Sequence, residues 1–245
     1  MSEAHGYDWQ YGGIAAGRDA GPPPDPSRAG TAPPTHGRRP PAMSGQPSLR
    51  PRPGNLREIA AKIEEETGLR VQVIGGSLVM SPTPRGKRAG TIRRLRLQLD
   101  PGLPAGLAAG LAAYEVTSVA MPGDLDDYAT PDLVVLPEEW DDDDHWLADP
   151  VEAELAVEVV SQSEKARAIT QKIDWYAVAG VRALLVLDPR HGTWAVHTRP
   201  GDGRYEDSRR GKYGEDVPLP SPLAPAVTTD SFPLYGVPGE PYGGG

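Results

Sequence analysis
The chain has 245 residues, 28 Pro, 29 Gly, a net charge of −9 and no Cys. The missing cysteine excludes disulfides, thiolate metal sites and a cysteine nucleophile. Residues 1–54 hold 11 Pro and 9 Gly but only two large aliphatic or Phe residues, Ile14 and Leu49. Such a segment buries too little apolar surface to offset its chain entropy, so it reads as a disordered Pro/Gly-rich tail, and residues 218–245 read the same way. Residues 55–217 are long enough for one domain with its own core. No apolar stretch of a signal peptide opens the chain, and the longest uncharged run, Pro101–Tyr114, is too short to span a bilayer. A soluble, cytoplasmic protein is therefore expected.

Taken in chain order, the first predicted element is a helix over Asn55–Thr67. Asn55 is placed to cap it, with Glu58 completing a capping box, and Leu56, Ile59, Ala60 and Ile63 form one apolar stripe. Gly68 suits its C-terminus. Arg70–Ile74 and Ser77–Ser81 flank Gly75-Gly76 and read as a hairpin. A second helix is expected over Lys87–Leu99, with Ile92, Leu95 and Leu99 inward. Its Arg88, Arg93, Arg94 and Arg96 form either a solvated basic face or a phosphate-contacting one. Gly102–Ala113 reads as a loop with a weak helix. Strands follow at Tyr114–Ala120, Pro131–Leu136 and Ala153–Val160, then a helix over Glu164–Gly180, a strand at Arg182–Leu187, a hairpin strand at Thr193–Thr198 and a short edge after Gly201–Gly203. Continuous runs such as Leu133–Leu136 and Leu155–Val157 suit strands covered on both faces. The expected fold is α/β to α+β, a mixed sheet flanked by helices.

Charge is unevenly spread. Residues 101–163 carry 15 acids and no Lys or Arg, whereas residues 55–100 carry 9 basic and 5 acidic residues. Two of those acids stand against their surroundings. Asp132 precedes four apolar residues, and Glu158 interrupts the run Leu155–Val160. Acids are rarely buried unless paired or metal-bound. On the 164–180 helix, Lys165 and Lys172 border the stripe made by Ile169, Ile173 and Tyr176. Lys172 is either a snorkelling edge residue or an ammonium reaching toward Asp132 and Glu158. Two carboxylates and one ammonium form a plausible kit for metal-assisted phosphodiester hydrolysis, in which carboxylates hold Mg²⁺ (or Mn²⁺) and the lysine stabilises developing charge.

These residues carry a resemblance. Pro131-Asp132, then Glu158-Val159-Val160-Ser161, then Lys172 four residues before Tyr176, together with the hairpin Gly75–Pro84, resemble the Uma-two family of restriction endonucleases within the PD-(D/E)XK superfamily. The likeness covers about residues 55–235. It implies a restriction-endonuclease-like core, divalent metal at Asp132 and Glu158, Lys172 as the catalytic amine, DNA as substrate, and a homodimer as a plausible assembly. Three departures stand out. Val160 fills the lysine slot of the E-x-K motif, Ser77 replaces a frequent acid, and Arg88 replaces a frequent histidine. The last two favour the alternative of a catalytically weakened nuclease-fold module that binds nucleic acid or a protein partner.

Other features read as structural. Glu138–Asp149, with Asp141–Asp144 and His145, lacks calcium-loop spacing and reads as a solvated loop. Asp124, Asp126 and Asp127 fit turn chemistry. His191 and His197 have no third partner for zinc. Ser161 and Ser163 suit a turn and a helix cap.

Overall fold
The computed structural model describes residues 54–81, 85–99, 110–223 and 226–236. The expected tail over residues 1–54 falls, Gly54 aside, outside them. Its elements are α1 (Asn55–Thr67), β1 (Arg70–Ile74), β2 (Ser77–Ser81), α2 (Gly86–Leu99), β3 (Leu111–Tyr114), β4 (Ser118–Ala120), β5 (Tyr128–Ala129), β6 (Leu133–Pro137), β7 (Leu147–Ala148), β8 (Leu155–Val159), α3 (Ala166–Ala179), β9 (Ala183–Asp188), β10 (Thr193–Gly201), β11 (Arg204–Lys212), β12 (Val217–Pro218) and β13 (Ala226–Val227). The fold is mixed α+β. One sheet runs β11-β10-β9-β8-β6-β3, a smaller one runs β2-β1-β5-β4-β7, and β12 pairs with β13. Among the described residues only β8–β9 and β4–β7 pair in parallel. The β8–β9 pair is joined through α3, as a parallel pair requires a crossover.

The continuous apolar runs follow from burial on both faces. Leu133 and Val135 of β6, Leu155, Val157 and Val159 of β8, and Leu185 and Leu187 of β9 pack with Ile92, Leu95 and Leu99 of α2. The alternate residues Val134, Leu136, Ala156, Val160, Leu184 and Val186 pack with Trp175, Tyr176 and Ala179 of α3. Strand periodicity therefore puts Glu158, between Val157 and Val159, on the α3 side. Gly180 closes α3 in the left-handed region, at φ 91°, with its N–H donating to the carbonyls of Tyr176 and Ala177.

Several expectations change. Asn55 does not cap α1. The cap position is Gly54, and Asp126, 70 residues beyond Leu56, accepts from the N–H groups of Leu56 (3.0 Å) and Arg57 (3.4 Å). Asp127 accepts from the Gly76 N–H at 2.8 Å and pins the β1–β2 hairpin, while Asp124 shapes the turn by accepting from the N–H groups of Asp126 and Asp127. The expected strand Tyr114–Ala120 is broken at Val116, whose φ is 65°, so β3 joins the large sheet and β4 the small one. Leu111–Ala113, expected as loop, lies in β3.

The C-terminal boundary also moves. Leu219, Leu223, Val227 and Phe232, expected in a tail, pack on the α2 side of the large sheet, while residues 224–225 and 237–245 of that expected tail lie outside the described residues. A few well-spaced apolar residues suffice there because the sheet already supplies the opposing surface. The strand after Gly203 is not short. β11 runs nine residues along β10 as the sheet's edge, largely exposed. Glu138–Asp142 form an exposed 3₁₀ turn. Among the described residues no helix is long and apolar enough to cross a membrane.

Candidate active site
Asp132 stands at the start of β6 and Glu158 near the end of β8, so both lie at one end of the large sheet. Asp132 straddles Glu158. Its N–H donates to the Val157 carbonyl (2.9 Å), and its Oδ2 accepts from the Val159 N–H (2.7 Å). Both acids are almost fully buried, at 3% and 6% exposure. From α3, Lys172 Nζ donates to Glu158 Oε2 at 2.8 Å and Tyr176 Oη donates to Oε1 at 2.9 Å. Residues 172 and 176 are one helical turn apart on one face, so both reach the same carboxylate. Lys165, the other candidate, is exposed at the N-terminal cap of α3.

The structure thus brings Asp132, Glu158 and Lys172 into one cluster and adds groups that spacing did not single out for the site. Glu164 is the first. Its Oε1 lies 3.2 Å from Lys172 Nζ, and its Oε2 accepts from the Ser161 N–H at 3.1 Å. Ser163 supplies no cap to α3. Tyr176 is the second; in the sequence it stands four residues after Lys172, on the apolar stripe of that helix. The third is Arg88, which leaves the basic face of α2 and grips Asp132 with a two-pronged fork. Nε donates to Oδ1 at 3.1 Å and Nη2 to Oδ2 at 2.9 Å. Arg93 and Arg96 are exposed, and Arg96 pairs with Glu115 at 3.6 Å.

Burial and charge set the protonation states. Burial pushes the Glu158 carboxyl above the ordinary range and the Asp132 charge adds to this, against the opposing pull of Lys172. Burial alone would lower Lys172, but Glu158 and Glu164 outweigh it and hold the ammonium well above its usual value. Glu164 is likewise pushed up by burial, yet Lys172 and the Ser161 amide bring it below the ordinary carboxylate range. For Arg88 the desolvation is overcome by Asp132, which keeps the guanidinium charged.

Carboxylate oxygens are the donors Mg²⁺ prefers, and Mg²⁺ commonly uses one or two carboxylates and keeps several waters. Asp132 and Glu158 fit that chemistry. Among the described residues, however, no group of three His, Asp or Glu is arranged to hold a metal. All four oxygens of the two acids accept protein hydrogen bonds, and Arg88 supplies the cationic partner of Asp132. Ser77 on β2 adds no acid, as its sequence departure implies. Along the edge of the site, Tyr235 N–H donates to the Pro189 carbonyl (2.9 Å) and Lys87 Nζ to the Leu234 carbonyl (2.7 Å), which fixes the last described residues beside Arg88.

Comparison with known proteins bears on the family and the fold. The family model described as "Uma2: Putative restriction endonuclease" matches residues 57–230. The fold is similar to a crystal structure of "a putative nuclease belonging to DUF820" from Anabaena variabilis, with a TM-score of 0.52 and 16% identity, covering 68% of this chain and 90% of that one. At that identity the likeness is one of fold. No curated protein matches the chain.

Proposed function
Because the chain belongs to the Uma2 restriction endonuclease family, we propose that it is a Mg²⁺- or Mn²⁺-dependent endonuclease that hydrolyses DNA phosphodiester bonds. One observation carries the reading. Asp132 and Glu158 stand together at a sheet end, with Lys172 at 2.8 Å from the glutamate. Asp132 and Glu158 would hold the ion. The chemistry such an ion would supply there is polarisation of the phosphate and a lowered pKa for the attacking water.

The chain's own groups have separable tasks. The Val159 amide orients Asp132, and Tyr176 orients Glu158. Lys172 stays protonated at neutral pH because two carboxylates surround it, so it serves as a charge stabiliser rather than a base. In hydrolysis the water oxygen bonds phosphorus, the bond from phosphorus to one sugar oxygen breaks, and that oxygen leaves with a proton. The ammonium offsets the charge gathered on the phosphoryl oxygens.

The Arg88–Asp132 fork favours a second reading, a nuclease-fold module that binds nucleic acid or a protein partner without turnover. Plasmid nicking with Mg²⁺ or Mn²⁺ separates the two. The expected result is nicking by the wild-type chain that is lost in Asp132→Ala and Lys172→Ala, with folding checked by circular dichroism. Equal nicking by all three rejects these residue roles. Duplex binding without nicking by the wild-type chain selects the module.

A further inference from the structure
The Arg88–Asp132 pair has a feature that a purely structural ion pair does not need. Its carboxylate is one of the two proposed to hold the divalent cation, and its arginine sits in the first turn of α2, at the rim of the same sheet end. Asp132's side chain is 1% exposed and Arg88's is 11%. We infer that Arg88 is a phosphate-operated latch. In the free protein it occupies Asp132 with its own positive charge. When DNA binds, the fork transfers to a backbone phosphate and frees Asp132 for the cation. The inference rests on the endonuclease reading above.

Three physical points support it. The guanidinium fork matches carboxylate and phosphate oxygens with the same paired geometry, so a phosphodiester is a direct competitor for Arg88. Charge balance favours the exchange. With Arg88 in place, three carboxylates (Asp132, Glu158, Glu164) face two cations, Arg88 and Lys172. Once Arg88 moves to phosphate, three carboxylates face Lys172 alone, an excess of two negative charges that a divalent ion neutralises. Finally, Asp132 does not depend on Arg88 for its position, because the Val159 amide also holds Oδ2 at 2.7 Å.

The test measures Mn²⁺ binding by calorimetry, with the full chain, in the presence and absence of a phosphorothioate-backbone duplex that resists cleavage. Wild-type protein alone should bind Mn²⁺ weakly. The duplex should tighten that binding by about tenfold or more, the scale of the charge-assisted hydrogen bonds that cation entry must otherwise break. Arg88→Gln should bind Mn²⁺ about tenfold more tightly than wild type without DNA and gain less than about threefold from the duplex. Arg88→Lys, which keeps the charge but not the fork and is gentler on folding, should fall between. Equal Mn²⁺ affinity of wild type and Arg88→Gln, or no effect of the duplex on wild type, overturns the latch while leaving the metal site intact. If no form binds Mn²⁺, or if Glu158→Gln in the Arg88→Gln background leaves binding unchanged, the metal-dependent reading itself fails. The wild-type comparison with and without duplex needs no variant, so a misfolded mutant does not blunt the test.

Discussion

Replacing Lys172 with Met removes one ammonium from between two carboxylates, at 2.8 Å from Glu158 and 3.2 Å from Glu164, and leaves an apolar chain of similar length. The magnitude follows from what Glu158 must then do. Buried and without its cation, Glu158 loses the pull that opposes its desolvation, so its carboxyl rises further above the ordinary range. Breaking a buried pair by deleting one partner costs about 3–5 kcal/mol. Lys172→Met should therefore lose about 3–5 kcal/mol at pH 7. The mutant's Glu158 has a folded-state pKa above its unfolded one, so the folded state holds the extra proton and the deficit shrinks as pH falls. It should come down to about 1 kcal/mol, the worth of the lost hydrogen bonds, near pH 4.5. Toward alkaline pH the wild-type advantage is full below the ordinary lysine value of 10.5 and fades above it, because the folded-state pKa is the raised one. Urea unfolding followed by tryptophan fluorescence measures each point. A deficit under about 1 kcal/mol at pH 7, or one that does not change between pH 7 and 4.5, would refute the buried Glu158–Lys172–Glu164 network.

Three further outcomes are expected. Asp126→Ala removes the acceptor for two N–H groups of the first turn of α1 and should cost about 1 kcal/mol in urea titration, as the loss of an N-cap does. Gly211→Ala puts a methyl group into the Trp194 indole ring across the β10–β11 pair. Strain in a packed core of this kind costs about 1–3 kcal/mol, visible as a lower melting temperature, whereas Ser208→Ala on the same strand should change little. Tyr176→Phe keeps the packed ring but deletes a donor that helps hold Glu158 ionised. It should cost about 1–2 kcal/mol and move the acid limb of the nicking pH profile to higher pH. An unshifted limb would remove Tyr176 from the proposed site.

What could be read in advance followed from local chemistry. β6 and β8 were legible because strands covered on both faces leave continuous apolar runs, and an acid inside such a run is conspicuous. Asp132 and Glu158 were visible for that reason, and Lys172 because helical spacing put it beside an apolar stripe. Contacts between segments distant along the chain were hidden. The capping box at Asn55 and Glu58 obeys a local rule, yet α1 takes its cap from Asp126. Glu164 looked like the acid that starts a helix, and nothing local says that it completes a pair with Lys172. Arg88 stood out among four arginines on a helix only as a departure from the family pattern; that it meets Asp132 is visible only in the third dimension. Composition misled at the C-terminus for a related reason. An average over a Pro-rich stretch conceals how few apolar residues are needed once a sheet is waiting to receive them. The Leu111–Ala113 strand was obscured by the Gly and Ala around it.

The outer strand of the large sheet has a bearing on how copies of this chain meet. Along β11, Arg204, Glu206, Asp207, Arg209, Arg210 and Lys212 are six charged residues out of nine. A second β11 laid alongside would have to strip water from these groups and match them sign for sign, so the strand resists templating its own kind. Self-association or fibre growth by extending the hydrogen-bond ladder is discouraged on this flank. A dimer that forms to cut both strands of a duplex would have to join through some other surface.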